Sequence, residues 1–187
     1  MKTHVRTICI AFMLLAGVLI LIPKECNAQL KKMTTEDLTN ESTAILYGKC
    51  SKIESKWNEG KDIIFTTVTV LPDEYIKGDL GSEALITIPG GQVDDIIYEV
   101  SEMPVFIEGE DVFAFVWKHP SGKNLITGGK QGKMKIKKDK DGKKVVKGVA
   151  NGNEQKSAKK EAKVEEILPP QEMLLEDFTE VVKGYLK

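Results

Sequence analysis

Residues 112–117 read Val-Phe-Ala-Phe-Val-Trp, an apolar run bounded by turn residues at 108–110 and 119–122. A short continuous apolar run between turns is typical of a strand that is buried on both faces. We therefore predict that this run is a central strand. The segments on either side of it in the sequence must then supply the rest of the sheet.

Several other segments have the composition of β-strands. Residues 63–70 are mostly β-branched around Phe65 and give the strongest strand pattern in the chain. Pro72 cannot donate a ladder hydrogen bond, so we expect an edge or a bulge there. Further strands are predicted at residues 44–53, 84–88, 134–136 and 145–146. Together they indicate a mainly β fold, a small OB-like barrel or half-open sandwich of five to seven strands.

The N-terminal end of the chain has the features of a secretory signal. Lys2 and Arg6 precede an uncharged apolar run that ends at Ile22, and a small residue, Ala28, follows. We interpret residues 1–28 as a signal peptide and expect a periplasmic or extracellular protein with no transmembrane helix in the mature chain. Cleavage after Ala28 and retention of the segment as an anchor both stay open.

The chain after the predicted signal peptide divides into three parts. The β domain is predicted to span residues 29–150, and residues 151–168 are interpreted as a polar linker that is too poor in apolar residues to fold alone. Residues 169–187 are predicted to form an amphipathic helix that packs on the barrel. Its apolar stripe comprises Leu174, Phe178, Val181, Val182 and Tyr185.

The net charge and the content of cysteine and histidine argue against several classes of function. The formal net charge of −1, or −3 without residues 1–28, does not indicate affinity for nucleic acid. The mature chain keeps one cysteine, Cys50, so an internal disulfide is excluded. It also keeps one histidine, His119. The sequence contains no nucleophile-elbow motif, and Cys50 and His119 do not have the spacing of a metal-ligand cluster. We therefore predict no catalytic residue, metal or cofactor, although a Cys50–His119 dyad is formally possible.

Two regions are candidates for binding. The first is the Trp57 turn together with a long loop that begins at Gly90, Gly91 and Gln92, since long loops on a rigid scaffold are the usual place for binding. The second is a lysine-rich predicted hairpin with Lys133, Lys135 and Lys137. It could dock an anionic polymer, or its lysines could simply protect a sheet edge from aggregation. No aromatic residues alternate with these lysines, which argues against nucleic acid as a partner.

Some of these segments resemble a recurrent layout in exported bacterial proteins. They are residues 42–49, 64–66, 75–78, 88–91, 104–112 and 129–133. The chain is similar in these places to small β-barrel proteins of unknown function, some of which accompany matrixin-type metalloproteases, and more distantly to netrin-like barrels. The resemblance implies a fold and an envelope location but no catalytic residues. The N-terminal Cys-x-Cys that netrin-like protease inhibitors require is missing after Ala28.

The sequence thus favours a non-enzymatic binding or accessory module whose partner is an envelope protein or an anionic polymer. A peptidase-associated inhibitor or prodomain-like factor is the first alternative. A hydrolase with an unrecognised site is the second, and His119 would be its general base.

Overall fold

The computed structural model describes residues 30–148 and 172–187. The predicted signal peptide (1–28) and polar linker (151–168) lie outside the described residues.

The helices are α1 (Thr35–Glu41) and α2 (Leu175–Gly184), and a 3-10 turn spans Gly129–Gly132. The strands are β1 (Ala44–Trp57), β2 (Ile64–Lys77), β3 (Ala84–Pro89), β4 (Gly91–Val93), β5 (Ile96–Tyr98), β6 (Asp111–Lys118), β7 (Asn124–Ile126), β8 (Lys133–Lys138), β9 (Lys144–Lys147) and β10 (Met173–Leu174).

The strand β6 lies inside the main sheet, as its apolar run predicts. The sheet has the order β10-β9-β8-β6-β1-β2-β3, and β7 pairs with the part of β6 beyond β8. β3 approaches β7, where Asn124 Nδ2 donates to Leu85 O at 3.0 Å, but no ladder joins these strands among the described residues. The sheet is therefore not closed into a barrel. This half-open, mainly β arrangement with a C-terminal helix confirms the predicted fold class.

The strands number ten in the described ranges, compared with the five to seven predicted. Four of them, β4, β5, β7 and β10, are only two or three residues long. Segments this short carry too few residues to display the alternation from which a strand is predicted. The six longer strands match the predicted number.

Two apolar cores lie on opposite faces of the sheet because successive strand residues point to opposite sides. Val112, Ala114 and Val116 of β6 belong to the inner core, which also takes side chains from β1, β2 and β3. Phe113 and Phe115 belong to the outer core, under α1 and α2. All five are completely shielded from solvent. Burial of a large apolar side chain contributes roughly 1.5–3 kcal/mol, so β6 stabilises both layers.

Pro72 lies at a bulge between β1 and β2, as its missing N–H predicts. Tyr47 is opposite Glu74 whereas Gly48 is opposite Pro72, so Asp73 is the additional residue on β2. A side chain at Gly48 would overlap with the backbone of β2, which comes unusually close there. The bulge therefore depends on glycine in one strand and proline in the other.

α1 begins with a capping box. Thr34 Oγ1 accepts a hydrogen bond from Asp37 N, and Asp37 Oδ2 accepts one from Thr34 N, both at 3.0 Å. The backbone hydrogen bond from Thr34 holds the pKa of the Asp37 carboxyl below its usual value. Leu38, one residue further on, is fully buried in the outer core.

α2 packs on the outer core, but its buried face differs from the predicted stripe. Leu174 belongs to β10, which pairs with β9, so the helix spans Leu175–Gly184 within the predicted range of 169–187. Leu175, Phe178 and Val182 are buried, whereas Val181 is 40% exposed. Phe178 packs edge-on against an aromatic ring of β6, with ring centroids 4.9 Å apart. The short ladder between β10 and β9 thus determines which face of α2 turns towards the core.

Candidate functional site

Gly90 and Gly91 turn the chain from the end of β3 into a small hairpin. Gly90 N donates to Ile64 O at 2.8 Å, and Gly90 O accepts from Thr66 Oγ1 at 2.7 Å. Gly91 has a φ of +137°, and a Cβ there would overlap with Thr66 Oγ1. Only glycine fits because the backbone rests directly on side chains of the main sheet. These two residues position the hairpin and offer no side chain to a ligand.

Trp57 lies close to Gly90 because both residues contact the first residue of β2. The ladder partner of the half-buried Trp57 is Ile64, whose carbonyl also accepts the hydrogen bond from Gly90. Gln92 is exposed, and its Nε2 donates to Asp94 O at 2.9 Å across the hairpin turn. The structure therefore brings four of the predicted binding residues to one end of β1 and β2. They are Trp57, Gly90, Gly91 and Gln92.

The hairpin of β4 and β5 presents apolar side chains to solvent. Val93 and Ile96 flank its two-residue turn, in which Asp94 has a φ of +53°. Ile96, Ile97 and Tyr98 of β5 are 54%, 63% and 39% exposed. We name these three side chains the β5 surface. It has the composition of a core strand but covers no core.

The chain that follows β5 continues this exposed apolar character. Pro104 and Phe106 are buried, whereas Val105 and Ile107 between and after them are 78% and 57% exposed. Half of the exposed large apolar residues in the described part of the chain lie at positions 96–107. Single exposed apolar residues are ordinary on a protein surface, but a concentration of them is typical of a contact site.

Negative charge surrounds the β5 surface. Residues 92–116 contain acidic residues and no basic one. Asp94, Asp95 and Glu99 are exposed and form no ion pair with another described residue. Glu102, by contrast, lies 3.6 Å from Lys130 Nζ. The region therefore combines apolar contact area with uncompensated negative charge, which suits a partner that is apolar and basic.

The three lysines predicted to bind an anionic partner occupy three different environments on β8. Lys133 Nζ lies 2.6 Å from Glu110 Oε1 and donates to Val105 O at 2.9 Å, and its side chain is only 11% exposed. Lys135 Nζ lies 3.6 Å from Glu110 Oε2, and Lys137 is exposed. Lys133 therefore belongs to an internal ion pair and adds nothing to an exposed basic surface. Polyanion binding by this hairpin stays a prediction that depends on its outer lysines.

The Glu110–Lys133 pair fixes the segment that follows the hairpin. Glu110 Oε1 also accepts a hydrogen bond from Ile107 N at 2.9 Å, while Lys133 holds the carbonyl of Val105. Lys133 Nζ additionally lies 5.0 Å from the ring centroid of Phe106. The sequence contains no local signal for the burial of Lys133 because its partners Glu110 and Val105 are 23 and 28 residues away from it. Sequence patterns therefore do not predict this ion pair.

The structure separates Cys50 from His119. Cys50 N donates to Glu110 O, just before β6 begins, whereas His119 follows the opposite end of that strand. The length of β6 puts about 25 Å between the two ends. Burial, reinforced by the nearby Glu110 carboxylate, raises the pKa of the Cys50 thiol. His119 Nδ1 instead contacts Ser121 Oγ at 2.8 Å. The formally possible Cys50–His119 dyad therefore does not form in this fold.

A cleft that the sequence does not indicate lies between α2 and the main sheet. It has a volume of about 700 Å³, with both charge signs along its walls. Tyr47 Oη donates to Glu74 Oε2 at 2.8 Å, and burial together with this carboxylate raises the pKa of Tyr47 to about 12. Lys183 and Lys144 lie 3.4 Å and 3.1 Å from Glu74 and Asp73. These charges are already paired with each other, so the cleft is a weaker candidate than the β5 surface.

Among residues 30–148 and 172–187, no three His, Cys, Asp or Glu side chains are grouped so that they could hold a metal ion. In the same ranges no helix is long and apolar enough to cross a membrane.

Comparisons with protein-family models, curated proteins and solved structures found no match to this chain. The resemblance to exported small barrels therefore stays a prediction. The function has to be inferred from the chemistry of the site.

Proposed function

We propose that this protein is a non-enzymatic binding or accessory module that acts in the periplasm or outside the cell. Its contact element is the β5 surface. The observation that carries the proposal is the exposure of three consecutive apolar side chains, Ile96, Ile97 and Tyr98, on an ordered hairpin. Apolar side chains that cover no core of their own gain stability by covering a partner.

The attachment of the hairpin supports a role in recognition. Gly90 and Gly91 anchor its first strand on β1 and β2, and the Glu110–Lys133 pair holds the chain that leaves it. A contact element that is held in place before binding loses less conformational entropy when the partner arrives. Its acidic surroundings favour an envelope protein with basic and apolar residues over an anionic polymer at this site.

Partner capture tests the proposal with a matched pair of variants. Ile97→Ser removes an apolar side chain from the β5 surface, and Leu85→Ser removes one of similar exposure, 51%, from β3. Both proteins and the wild type are immobilised and exposed to envelope extract, and the retained proteins are identified by mass spectrometry. A partner retained by the wild type and by Leu85→Ser but lost with Ile97→Ser supports the proposal. Retention that is the same on all three would contradict it.

The identity of the captured protein also decides between an accessory module and an inhibitor. If the partner is a metalloprotease, stoichiometric addition of the wild type should be followed by an activity assay. Loss of protease activity that Ile97→Ser fails to cause would identify the module as a peptidase-associated inhibitor. Unchanged activity would identify it as an accessory factor.

A further inference from the structure

The outer edge of β5 has backbone groups that no strand of the described chain uses. β4 pairs with β5 on one edge, where Val93 is opposite Ile96 and Gly91 is opposite Tyr98. In a hairpin closed by a two-residue turn, the residues next to the turn exchange hydrogen bonds with the other strand, and the following residue points its polar groups outwards. Ile97 therefore directs its N–H and C=O away from β4.

The edge of β5 carries no residue that prevents a further strand from pairing with it. Natural edge strands are commonly blocked by lysine, proline or a bulge. β5 consists of Ile96, Ile97 and Tyr98 and carries none of these features. Its side chains alternate between the two faces, so an added strand could bury apolar area on both.

We infer that β5 binds its partner by strand addition, and that the occupant is an extended basic segment of another protein. This inference rests on the proposed function. Asp95 belongs to the hairpin turn and Glu99 follows β5, so an exposed carboxylate stands at each end of the strand. A partner strand centred opposite Ile97 would therefore pass close to one carboxylate at each of its ends. Basic residues at both places, with an apolar residue between them, complement β5.

A second copy of this chain does not fit the same edge. Antiparallel pairing of two β5 strands about Ile97 would bring Asp95 of one copy towards Glu99 of the other at both ends of the pair. Like charges directly opposite each other destabilise a ladder. The acidic residues therefore favour a different protein over self-association.

The probe for this inference is a short fluorescent peptide in which lysine, valine and lysine occupy alternate positions among threonines. A second peptide carries glutamate in place of lysine. Binding of each peptide to the full protein is measured by fluorescence anisotropy. The lysine peptide should bind and protect the Ile97 amide from hydrogen exchange, and the glutamate peptide should bind at least about tenfold more weakly.

Two substitutions of one residue separate strand addition from simple side-chain contact. Ile97→Pro removes the outward N–H and the side chain, and it leaves the bonds between β4 and β5 intact. Ile97→Ala removes the side chain alone. We expect Ile97→Pro to weaken binding about tenfold beyond Ile97→Ala. Asp95→Asn should weaken it about threefold, and Leu85→Ala on β3 should leave it unchanged. Circular dichroism verifies that each variant is folded.

The outcomes distinguish this inference from the proposed function. Equal losses for Ile97→Pro and Ile97→Ala, or an unprotected Ile97 amide in the complex, would overturn strand addition and leave docking by side chains intact. Equal binding of the two peptides, or binding of neither, would overturn the basic segment as the occupant. The capture experiment with Ile97→Ser reports on the proposed function separately.

Discussion

Replacement of Lys133 by methionine is the sharpest test of how the segment after the hairpin is held. Methionine keeps much of the length and apolar volume of the side chain but removes the ammonium that lies 2.6 Å from Glu110 Oε1 and 2.9 Å from Val105 O. The Glu110 side chain is only 3% exposed, so the substitution leaves a buried carboxylate without its main partner. Loss of one member of a buried ion pair costs about 3–5 kcal/mol.

The expected cost lies at the lower end of that range because a second lysine is close. Lys135 Nζ is 3.6 Å from Glu110 Oε2 and is 42% exposed, so it can move towards the carboxylate. We expect Lys133→Met to lower the free energy of unfolding by about 3 kcal/mol and Glu110→Gln to lower it by about 2 kcal/mol. The double variant should lose about 3 kcal/mol, which corresponds to a coupling energy of about 2 kcal/mol.

Urea unfolding monitored by tryptophan fluorescence measures these changes, and hydrogen exchange at the Ile107 amide reports on the loop itself. The matched control is Lys52→Met, since Lys52 pairs with Glu54 at 3.0 Å on an exposed surface and should cost about 0.5 kcal/mol at most. A Lys133→Met protein as stable as the Lys52→Met protein would refute the reasoning. Strictly additive effects of Lys133→Met and Glu110→Gln would refute it as well.

Three further predictions concern the cores and the cleft. Phe178→Ala should cost about 4 kcal/mol in urea unfolding because it opens a cavity under α2, whereas Val181→Ala on the exposed face should change stability by no more than about 0.5 kcal/mol. The phenol of Tyr47 should ionise near pH 12 in an ultraviolet titration, and the raised pKa means that its contribution to stability is complete below pH 10 and is lost as the pH rises towards 12. Tyr47→Phe should remove that step, and a Tyr47 titration at the ordinary pH would contradict the contact with Glu74. Cys50 should resist alkylation in the folded protein and react after unfolding, as peptide mapping can measure, and rapid labelling of the native state would contradict its burial.

The main sheet could be predicted because its strands carry their own signal. Residues 112–117 are apolar throughout since β6 is covered on both faces, and all but the first of residues 63–70 fall in β2. The bulge at Pro72 followed from one missing N–H. In each case a few neighbouring residues determine the local structure, so no knowledge of distant contacts was needed.

The candidate site was only partly predictable because its properties depend on which side chains the folded chain leaves exposed to solvent. The isoleucines of β5 look like core residues in the sequence, and their exposure follows from the turn at Gly90 and Gly91, which carries them past the main sheet. Lys133 looks like a surface lysine and is buried because the loop at Val105 folds over it. Leu174 was assigned to the helix, but pairing with β9 extends it. All of these depend on contacts between residues far apart in the chain.

The range over which the carboxylates beside β5 exert their electrostatic effect depends on the salt concentration. At physiological ionic strength their influence extends about 8 Å, and at 1 M salt it shrinks to about 3 Å. Concentrated salt also strengthens the tendency of apolar side chains to leave water when the anion is sulfate or phosphate. The free protein should therefore stay dispersed in dilute buffer and associate through Ile97 as the salt concentration rises.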